Sequence, residues 1–191
     1  MIYSLNEKKS ILLLGGARSG KSHYAQELAK QTAAKVLFVA TATAGDEDMR
    51  LRIENHKRSR PAAWRTLEAP LNTGKEIEAG IEDEQLVLVD CITLLVNNIF
   101  CRYDELEFNR VEDSVLETEV ITEISGLIEC LRKIEAFFII ISNEVGLGIV
   151  PDNRMGRLYR DILGRANQML AQSCDEVYLL VAGIPLRVKA Q

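Results

Sequence analysis

Eight consecutive residues carry the clearest chemical signal in the sequence, because they match the pattern G-x-x-x-x-G-K-[ST]. They are Gly15, Gly16, Ala17, Arg18, Ser19, Gly20, Lys21 and Ser22. They follow an apolar run at 11–14 and open a segment with helical periodicity. In such a strand–loop–helix unit the backbone N–H groups surround phosphate oxygens, the lysine reaches the β- and γ-phosphates, and the hydroxyl binds Mg²⁺. The sequence therefore predicts a phosphate loop in which Lys21 is catalytic and Ser22 is a metal ligand.

An aspartate at the end of another apolar run extends this prediction. Asp90 follows residues 86–89, Leu-Val-Leu-Val, and an acid in that position can act on the Mg²⁺ of a bound nucleotide. A turn or helix-capping aspartate is the structural alternative. The sequence lacks the N-K-x-D pattern with which switch GTPases bind guanine, so that class is not favoured.

A cationic segment surrounds one of the two histidines of the chain, His56. Five basic residues fall within eleven positions of an otherwise acidic sequence: Arg50, Arg52, Lys57, Arg58 and Arg60. One interpretation is a solvated helix surface with His56 packed on its inner side. The other is an anion site, in which the cations favour the neutral imidazole and His56 acts as a nucleophile or general base on phosphorus.

The elements that must position these residues are predicted from the apolar runs. Runs at 11–14, 36–40, 86–89, 137–141 and 177–181 do not alternate with polar residues, which is typical of strands buried on both faces of a parallel sheet. Helical patterns lie between them, and the inner faces are predicted to hold Tyr24, Ala25, Leu28 and Ala29, then Val111, Val115, Ile121, Ile124, Ile128 and Leu131, then Met155, Leu158, Ile162, Ala166 and Met169.

This order of elements predicts an α/β fold, a mostly parallel sheet with helices on both faces and ligands at the carboxyl ends of its strands. Residues 185–189 are predicted as an antiparallel edge strand that pairs with 177–181 through a turn at Gly183.

Composition limits the remaining classes. The chain has 191 residues, a net charge of -5 and 47% hydrophobic residues, which suits one domain spanning residues 1–191. The mild acidity argues against nucleic-acid binding. No apolar run approaches the roughly 18 residues of a membrane span, and the first residues lack the order of a secretory signal. We therefore expect a cytoplasmic protein with no nucleic-acid partner and no membrane span.

Five motifs together resemble the bifunctional adenosylcobinamide kinase / adenosylcobinamide-phosphate guanylyltransferase family of cobalamin synthesis. They are the phosphate loop, residues 52–61 with Trp64, residues 89–93, residues 142–151 and residues 160–168. The phosphate loop alone is unspecific, whereas the histidine segment and the N-E-V-G-x-G-I-V-P run are specific for the family. The resemblance implies a RecA-like P-loop fold, Mg²⁺, and ATP and GTP as substrates.

The resemblance also implies a reaction and its residues. The family phosphorylates a hydroxyl of adenosylcobinamide and then transfers GMP from GTP, through a guanylyl-histidine, to give adenosylcobinamide-GDP. His56 matches that histidine. The implied nucleotide contacts, besides the phosphate loop, are Thr41, Ala42, Thr43, Lys57, Arg58, Ser59, Arg60, Glu68 and Asp90. A homotrimer is implied as well, and no function is assigned to the acidic region 97–135.

Two other functions fit the residues without the resemblance. One is a small-molecule P-loop kinase with a single activity, in which His56 is only packed. The other is a nucleotide-binding regulatory module that does not turn over a small molecule.

Overall fold

Seven strands form the centre of the described part of the chain, which a computed structural model gives for residues 8–31, 35–43, 45, 47, 50, 51, 54, 57, 58 and 60–190. The strands are β1 (Ser10–Gly15), β2 (Val36–Ala40), β3 (Arg65–Glu68), β4 (Leu86–Asp90), β5 (Phe137–Ile141), β6 (Glu176–Val181) and β7 (Ile184–Lys189). The helices with complete bounds are α1 (Lys21–Gln31), α2 (Thr73–Gly80), α3 (Ile92–Phe100), α4 (Glu105–Arg110), α5 (Asp113–Lys133) and α6 (Arg154–Ser173). Glu47, Arg50, Leu51, Glu54, Lys57 and Arg58 are also helical.

The strands form one sheet in the order β3-β2-β4-β5-β1-β6-β7. Every pair is parallel except β6 and β7, which are antiparallel and joined by a tight turn at Ala182 and Gly183. The central strand β1 pairs with β5 and β6, so that Leu12 lies opposite Ile140 and Val177. The predicted mostly parallel sheet with an antiparallel edge strand is therefore confirmed.

Helices cover both faces of the sheet. Since successive strand residues point to opposite faces, each face has its own core. Leu12 of β1 belongs to a large core with α2, α3, α5 and α6, whereas Ile11 and Leu13 belong to a second core with Ala25, Leu28 and Ala29 of α1. Burial on both faces explains why the strands read as continuous apolar runs.

Strand β3 and helices α2, α3 and α4 were not predicted, and two helix faces were partly wrong. Strand β3 was missed because it is a short edge strand with alternating exposure, and helix α3 because its apolar residues directly follow those of β4. Val115 was predicted inside but is 42% exposed, since α5 begins at Asp113 and its inner side holds Leu116 and Val120. Met155 is 45% exposed because it lies in the first turn of α6, whose buried residues begin only at Ile162.

Within the described ranges, none of the helices combines the length and apolarity that crossing a membrane requires.

Candidate active site

The phosphate-loop motif forms the turn between β1 and α1. Gly15 has φ 153, and a Cβ there would lie 2.6 Å from the carbonyl oxygen of Leu180 on β6, so glycine is required. Gly20 has φ 95, and the N–H of Gly183 donates to the carbonyl oxygen of Ser19 at 2.9 Å. The hairpin between β6 and β7 therefore supports the loop from one side.

Lys21 points back into this loop. Its Nζ donates to the carbonyl oxygens of Gly15 and Gly16 at 3.0 and 2.7 Å, and the residue is 7% exposed. Burial lowers the pKa of Lys21, while the nearby carboxylate of Asp90 opposes that shift. The side chain thus holds a desolvated ammonium among backbone carbonyls, an environment that favours an incoming anion.

Asp90 lies at the carboxyl end of β4, close enough to Lys21 for its charge to act on that lysine. Asp90 is half-buried, and the peptide bond to Cys91 is cis. Ser22, next to Lys21, adds a hydroxyl to this region. Carboxylate and hydroxyl oxygens are the donors that Mg²⁺ accepts together with phosphate oxygens. Within the described ranges, no cluster of three or more His, Cys, Asp or Glu residues could hold a metal alone.

The segment after β2 is fixed by polar contacts with the neighbouring strand and helix. The Thr41 hydroxyl donates to the Cys91 carbonyl at 2.7 Å and accepts from the Cys91 N–H at 2.8 Å. Thr41 is fully buried, so its hydroxyl fixes the turn that follows Asp90. Ala42 is half-buried and Thr43 is exposed at the same edge of the sheet.

Asn98 on α3 was missed by the sequence analysis. Its Nδ2 donates to the Thr41 carbonyl at 2.7 Å, and its Oδ1 accepts from the Thr43 hydroxyl at 3.1 Å. Asn98 is 8% exposed, and a polar residue among the apolar side chains of α3 was the signal available in the sequence.

The cationic segment is partly described. His56, Arg52 and Ser59 lie outside the described residues.

Three described cations pair with acids: Arg50 contacts Glu47 and Glu54, Lys57 contacts Glu68 at 2.7 Å, and Arg58 lies 3.9 Å from Glu54. The structure thus brings together Lys57 and Glu68, two of the predicted nucleotide contacts. The hydrogen bond from Lys57 lowers the pKa of Glu68.

Arg60 differs from these cations. Its guanidinium carbon lies 3.5 Å from the centroid of the Phe38 ring, a cation–π arrangement. Its Nε and Nη1 are buried and have no hydrogen-bond partner among the described residues. Burial lowers the pKa of Arg60, and the charges of Asp90 and Glu68 oppose this. Arg60 therefore places N–H donors that have no acceptor in the described part of the chain at the carboxyl edge of the sheet, near Asp90.

The segment after β5 adjoins the phosphate loop. The N–H of Glu144 donates to the Gly15 carbonyl at 3.0 Å, and the N–H of Asn143 donates to the Thr93 hydroxyl at 2.8 Å. The Tyr159 hydroxyl of α6 in turn donates to the Thr93 carbonyl at 2.8 Å. The sequence analysis used residues 142–151 only for the resemblance and assigned them no role.

The strand–loop–helix unit, the buried lysine and the acid at the end of β4 define a P-loop nucleotide-binding protein. The fold is similar to the crystal structure of flagellar accessory protein FlaH from Methanocaldococcus jannaschii, with a TM-score of 0.53 and 14% identity over 97% of this chain and 80% of that chain.

The particular family follows from the sequence model of cobinamide kinase / cobinamide phosphate guanyltransferase, which matches residues 11–188. The chain belongs to this family. It is 39% identical to the bifunctional adenosylcobalamin biosynthesis protein CobU of Escherichia coli strain K12, over 94% of this chain and 99% of that protein. It is 41% identical to the protein of the same name from Salmonella typhimurium strain LT2, with the same two coverages.

The predicted family and the predicted P-loop fold are therefore confirmed. The roles of the individual site residues stay predictions.

Proposed function

We propose that this chain is a bifunctional enzyme that phosphorylates adenosylcobinamide with ATP or GTP and then transfers GMP from GTP to the product. The products of the second step are adenosylcobinamide-GDP and pyrophosphate. The observation that carries the proposal is the buried Lys21 within the phosphate loop of a chain that belongs to this family.

In the kinase step the phosphate loop binds the nucleotide. Backbone N–H groups of residues 15–20 and the amino end of α1 bind the phosphates, and Lys21 exchanges the carbonyls of Gly15 and Gly16 for β- and γ-phosphate oxygens. The acceptor hydroxyl attacks the γ-phosphorus, the bond to the β,γ-bridging oxygen breaks, the nucleoside diphosphate leaves, and the hydroxyl proton is released to solvent. Because Lys21 is already desolvated, its charge acts strongly on the phosphoryl group.

Ser22 and Asp90 are the residues that would hold Mg²⁺ in this step. The ion supplies charge neutralisation between the phosphates when it is bound. The hydroxyl and carboxylate oxygens suit a hard cation. Addition of EDTA is expected to stop both activities, and excess Mg²⁺ is expected to restore them.

In the guanylyl transfer step His56 is proposed as the nucleophile. Its imidazole nitrogen attacks the α-phosphorus of GTP, pyrophosphate leaves, and the phosphate of adenosylcobinamide phosphate then takes the GMP from the histidine. The proposed nucleotide contacts beyond the phosphate loop are Thr41, Ala42, Thr43, Lys57, Arg58, Ser59, Arg60, Glu68 and Asp90. The Nε and Nη1 of Arg60, which have no partner among the described residues, suit the charge that develops on the transferred group.

The test is to incubate the protein with adenosylcobinamide, Mg²⁺ and GTP labelled at the α- or the γ-phosphate. We expect α-label on the protein, and adenosylcobinamide phosphate and then adenosylcobinamide-GDP by mass spectrometry. His56→Ala is expected to lose the protein label and the second product while the first product persists. His23→Ala is the matched control, because His23 is the only other histidine and is exposed on α1.

The other two functions predict different products. A kinase with a single activity would stop at adenosylcobinamide phosphate and would take no α-label. A regulatory module would bind the nucleotide but neither bind nor convert cobinamide.

We also propose a homotrimer, with the outer strand β7 at the contact between copies. Val181, Ile184, Leu186 and Val188 are 59–70% exposed on one face of the β6–β7 hairpin. Apolar patches of this kind mark association surfaces, and an edge strand offers backbone groups to a further chain. Light scattering is expected to give three times the mass of the chain for the wild-type protein and one chain mass for Leu186→Glu.

We further propose that residues 1–191 act as one domain in the cytoplasm. Limited proteolysis is expected to give one resistant core and no pair of separate stable fragments, and cell fractionation is expected to recover the protein with the cytoplasmic enzymes.

A further inference from the structure

The loop between β5 and α6 exposes an unusual amount of apolar surface. Leu147 is 83% exposed, Ile149 is 95% exposed and Val150 is 58% exposed. They lie within four positions of one another, and Met155, at 45% exposure, follows at the start of α6. Clustered apolar side chains on a protein surface indicate a binding site more often than isolated ones do.

Contacts at both ends hold this loop in place. At the first end, the Glu144 N–H donates to the Gly15 carbonyl at 3.0 Å, and the Glu144 carboxylate accepts from the Gly146 N–H at 2.6 Å. At the second end, a Cβ on Gly156 would lie 2.7 Å from Pro151, and Arg157 donates to the Pro151 carbonyl at 3.1 Å. The exposed apolar side chains are therefore presented by an anchored segment.

The anchoring point fixes where the loop lies relative to a bound nucleotide. Gly15, which accepts from Glu144, also accepts from the Nζ of Lys21. A phosphate-loop lysine contacts the β- and γ-phosphates. Glu144, at the start of the loop, therefore lies beside the part of the phosphate loop that Lys21 contacts, and a hydroxyl that attacks the terminal phosphate can approach from the same region.

We propose that residues 145–150 form the binding surface for the corrinoid acceptor, with Leu147, Ile149 and Val150 in contact with its ring. This inference rests on the proposed function. A corrinoid presents a wide macrocycle edged with methyl and amide groups, which can pack on apolar side chains and bond to exposed backbone groups. A second copy of the chain seated here would block the approach of the acceptor, whereas the β7 face lies on the opposite side of β1 from β5.

The experiment is equilibrium dialysis of cobinamide against the full-length wild type and the double variant L147S/I149S, together with the KM values for cobinamide and GTP. We expect cobinamide binding to weaken by about tenfold, which corresponds to about 1.4 kcal/mol, with the KM for GTP unchanged within about twofold. Leu106→Ser is the control, because Leu106 is 67% exposed on α4. The wild-type affinity is expected for this variant.

The outcomes separate this inference from the proposed function. If the wild type neither binds nor phosphorylates cobinamide, both are wrong. If the wild type does so and the folded double variant binds cobinamide equally well, only the loop assignment is wrong. A change in the mass of the assembly, measured by light scattering, with unchanged affinity per chain would mean that a second copy covers the loop, which would also overturn it. The single variants Leu147→Ser and Ile149→Ser, each expected to show part of the loss, serve if the double variant fails to fold.

Discussion

The two edges of the sheet hold positively charged side chains in different surroundings. At the amino edge, Lys9 contacts Glu176 at 2.7 Å, and Arg65 contacts Glu84 at 2.5 Å. Both acids are almost fully buried, with side-chain exposures of 7% and 5%. At the carboxyl edge, Lys21 donates only to neutral oxygens, and Arg60 keeps two buried nitrogens without partners among the described residues.

The charges at the amino edge stabilise the fold, whereas those at the carboxyl edge are available to a ligand. A buried charge that is paired and hydrogen-bonded can be held at little net cost, whereas a buried charge without a partner destabilises the fold by several kcal/mol unless a ligand neutralises it. Lys21 and Arg60 both have lowered pKa values because of burial. Removal of the amino-edge pairs should therefore affect stability, and removal of the carboxyl-edge cations should affect nucleotide chemistry.

The largest effect is expected from Lys21→Ala. This change removes the cation that the β- and γ-phosphates require, and phosphorylation of cobinamide should fall by at least about a hundredfold, as when a preorganised charge-stabilising donor is lost. The free energy of unfolding should stay within about 1 kcal/mol of the wild type, because the desolvation cost of the ammonium disappears with it. Turnover measured at saturating nucleotide and urea unfolding provide the two readouts.

Turnover within about threefold of the wild type, a barrier change of about 0.7 kcal/mol, would exclude Lys21 from the mechanism. A large loss of stability would instead show that Lys21 is a structural residue, and the contrast between the two edges would fail.

A smaller effect is expected from Arg60→Gln. Guanylyl transfer should fall by about tenfold or more, because a preorganised cation near the transferred group is lost. Stability should change little, since the cation–π contact with Phe38 contributes only about 1–2 kcal/mol and the desolvation cost is removed at the same time. The measurement is the rate of adenosylcobinamide-GDP formation, with Arg110→Gln, an exposed arginine on α4, as the control. Equal losses in both variants would argue against a specific role for Arg60.

The sequence predicted the parts of the site that are contiguous. The phosphate loop is encoded in eight successive residues, and Asp90 follows directly from the strand before it, so local pattern was sufficient for both. The strands could be predicted because burial on both faces removes polar residues from each run.

Other features depend on contacts between distant positions. Arg58 and Arg60 are the same residue type two positions apart, yet only Arg60 stacks on Phe38. Thr41 and Asn98 are 57 positions apart and meet only because α3 lies along the carboxyl edge. Strand β3 carries Arg65 and Glu68 on a half-exposed edge, so its sequence resembles that of a loop. Each of these features depends on tertiary contacts, which leave no local pattern in a single sequence.

At the amino edge, Glu84→Gln is expected to destabilise the protein in a pH-dependent way. The hydrogen bond from Arg65 lowers the pKa of Glu84 to about 2 from 4.5. A lowered pKa in the folded state contributes stability above the ordinary pKa of the group, and this contribution is lost as the pH falls towards the folded value. The free energy of unfolding of the wild type should exceed that of the variant by about 1–2 kcal/mol near pH 7. This value is smaller than the pKa shift alone would give, because Arg65 is partly exposed.

The measurement is urea unfolding of the wild type and Glu84→Gln between pH 7 and pH 2. The difference between them should shrink from about pH 4.5 downward. Glu82→Gln is the control, because Glu82 is 73% exposed and lies 3.8 Å from Arg65. A difference that stays constant over this range would mean that the Glu84 carboxylate charge does not stabilise the fold.

The smallest effect is expected from the Lys57–Glu68 pair. This pair tests whether the effect of a charged pair on stability depends on its burial or on the edge of the sheet at which it lies. This pair lies at the carboxyl edge, but its side chains are 47% and 67% exposed. An exposed pair contributes only about 0.2–1 kcal/mol, and salt screens it. Glu68→Gln should therefore change the free energy of unfolding by less than about 1 kcal/mol at low salt and by nothing measurable at about 1 M salt. Urea unfolding at both salt concentrations gives the comparison. A larger, salt-independent loss would mean that paired charges stabilise both edges alike, and the contrast between the two edges would fail.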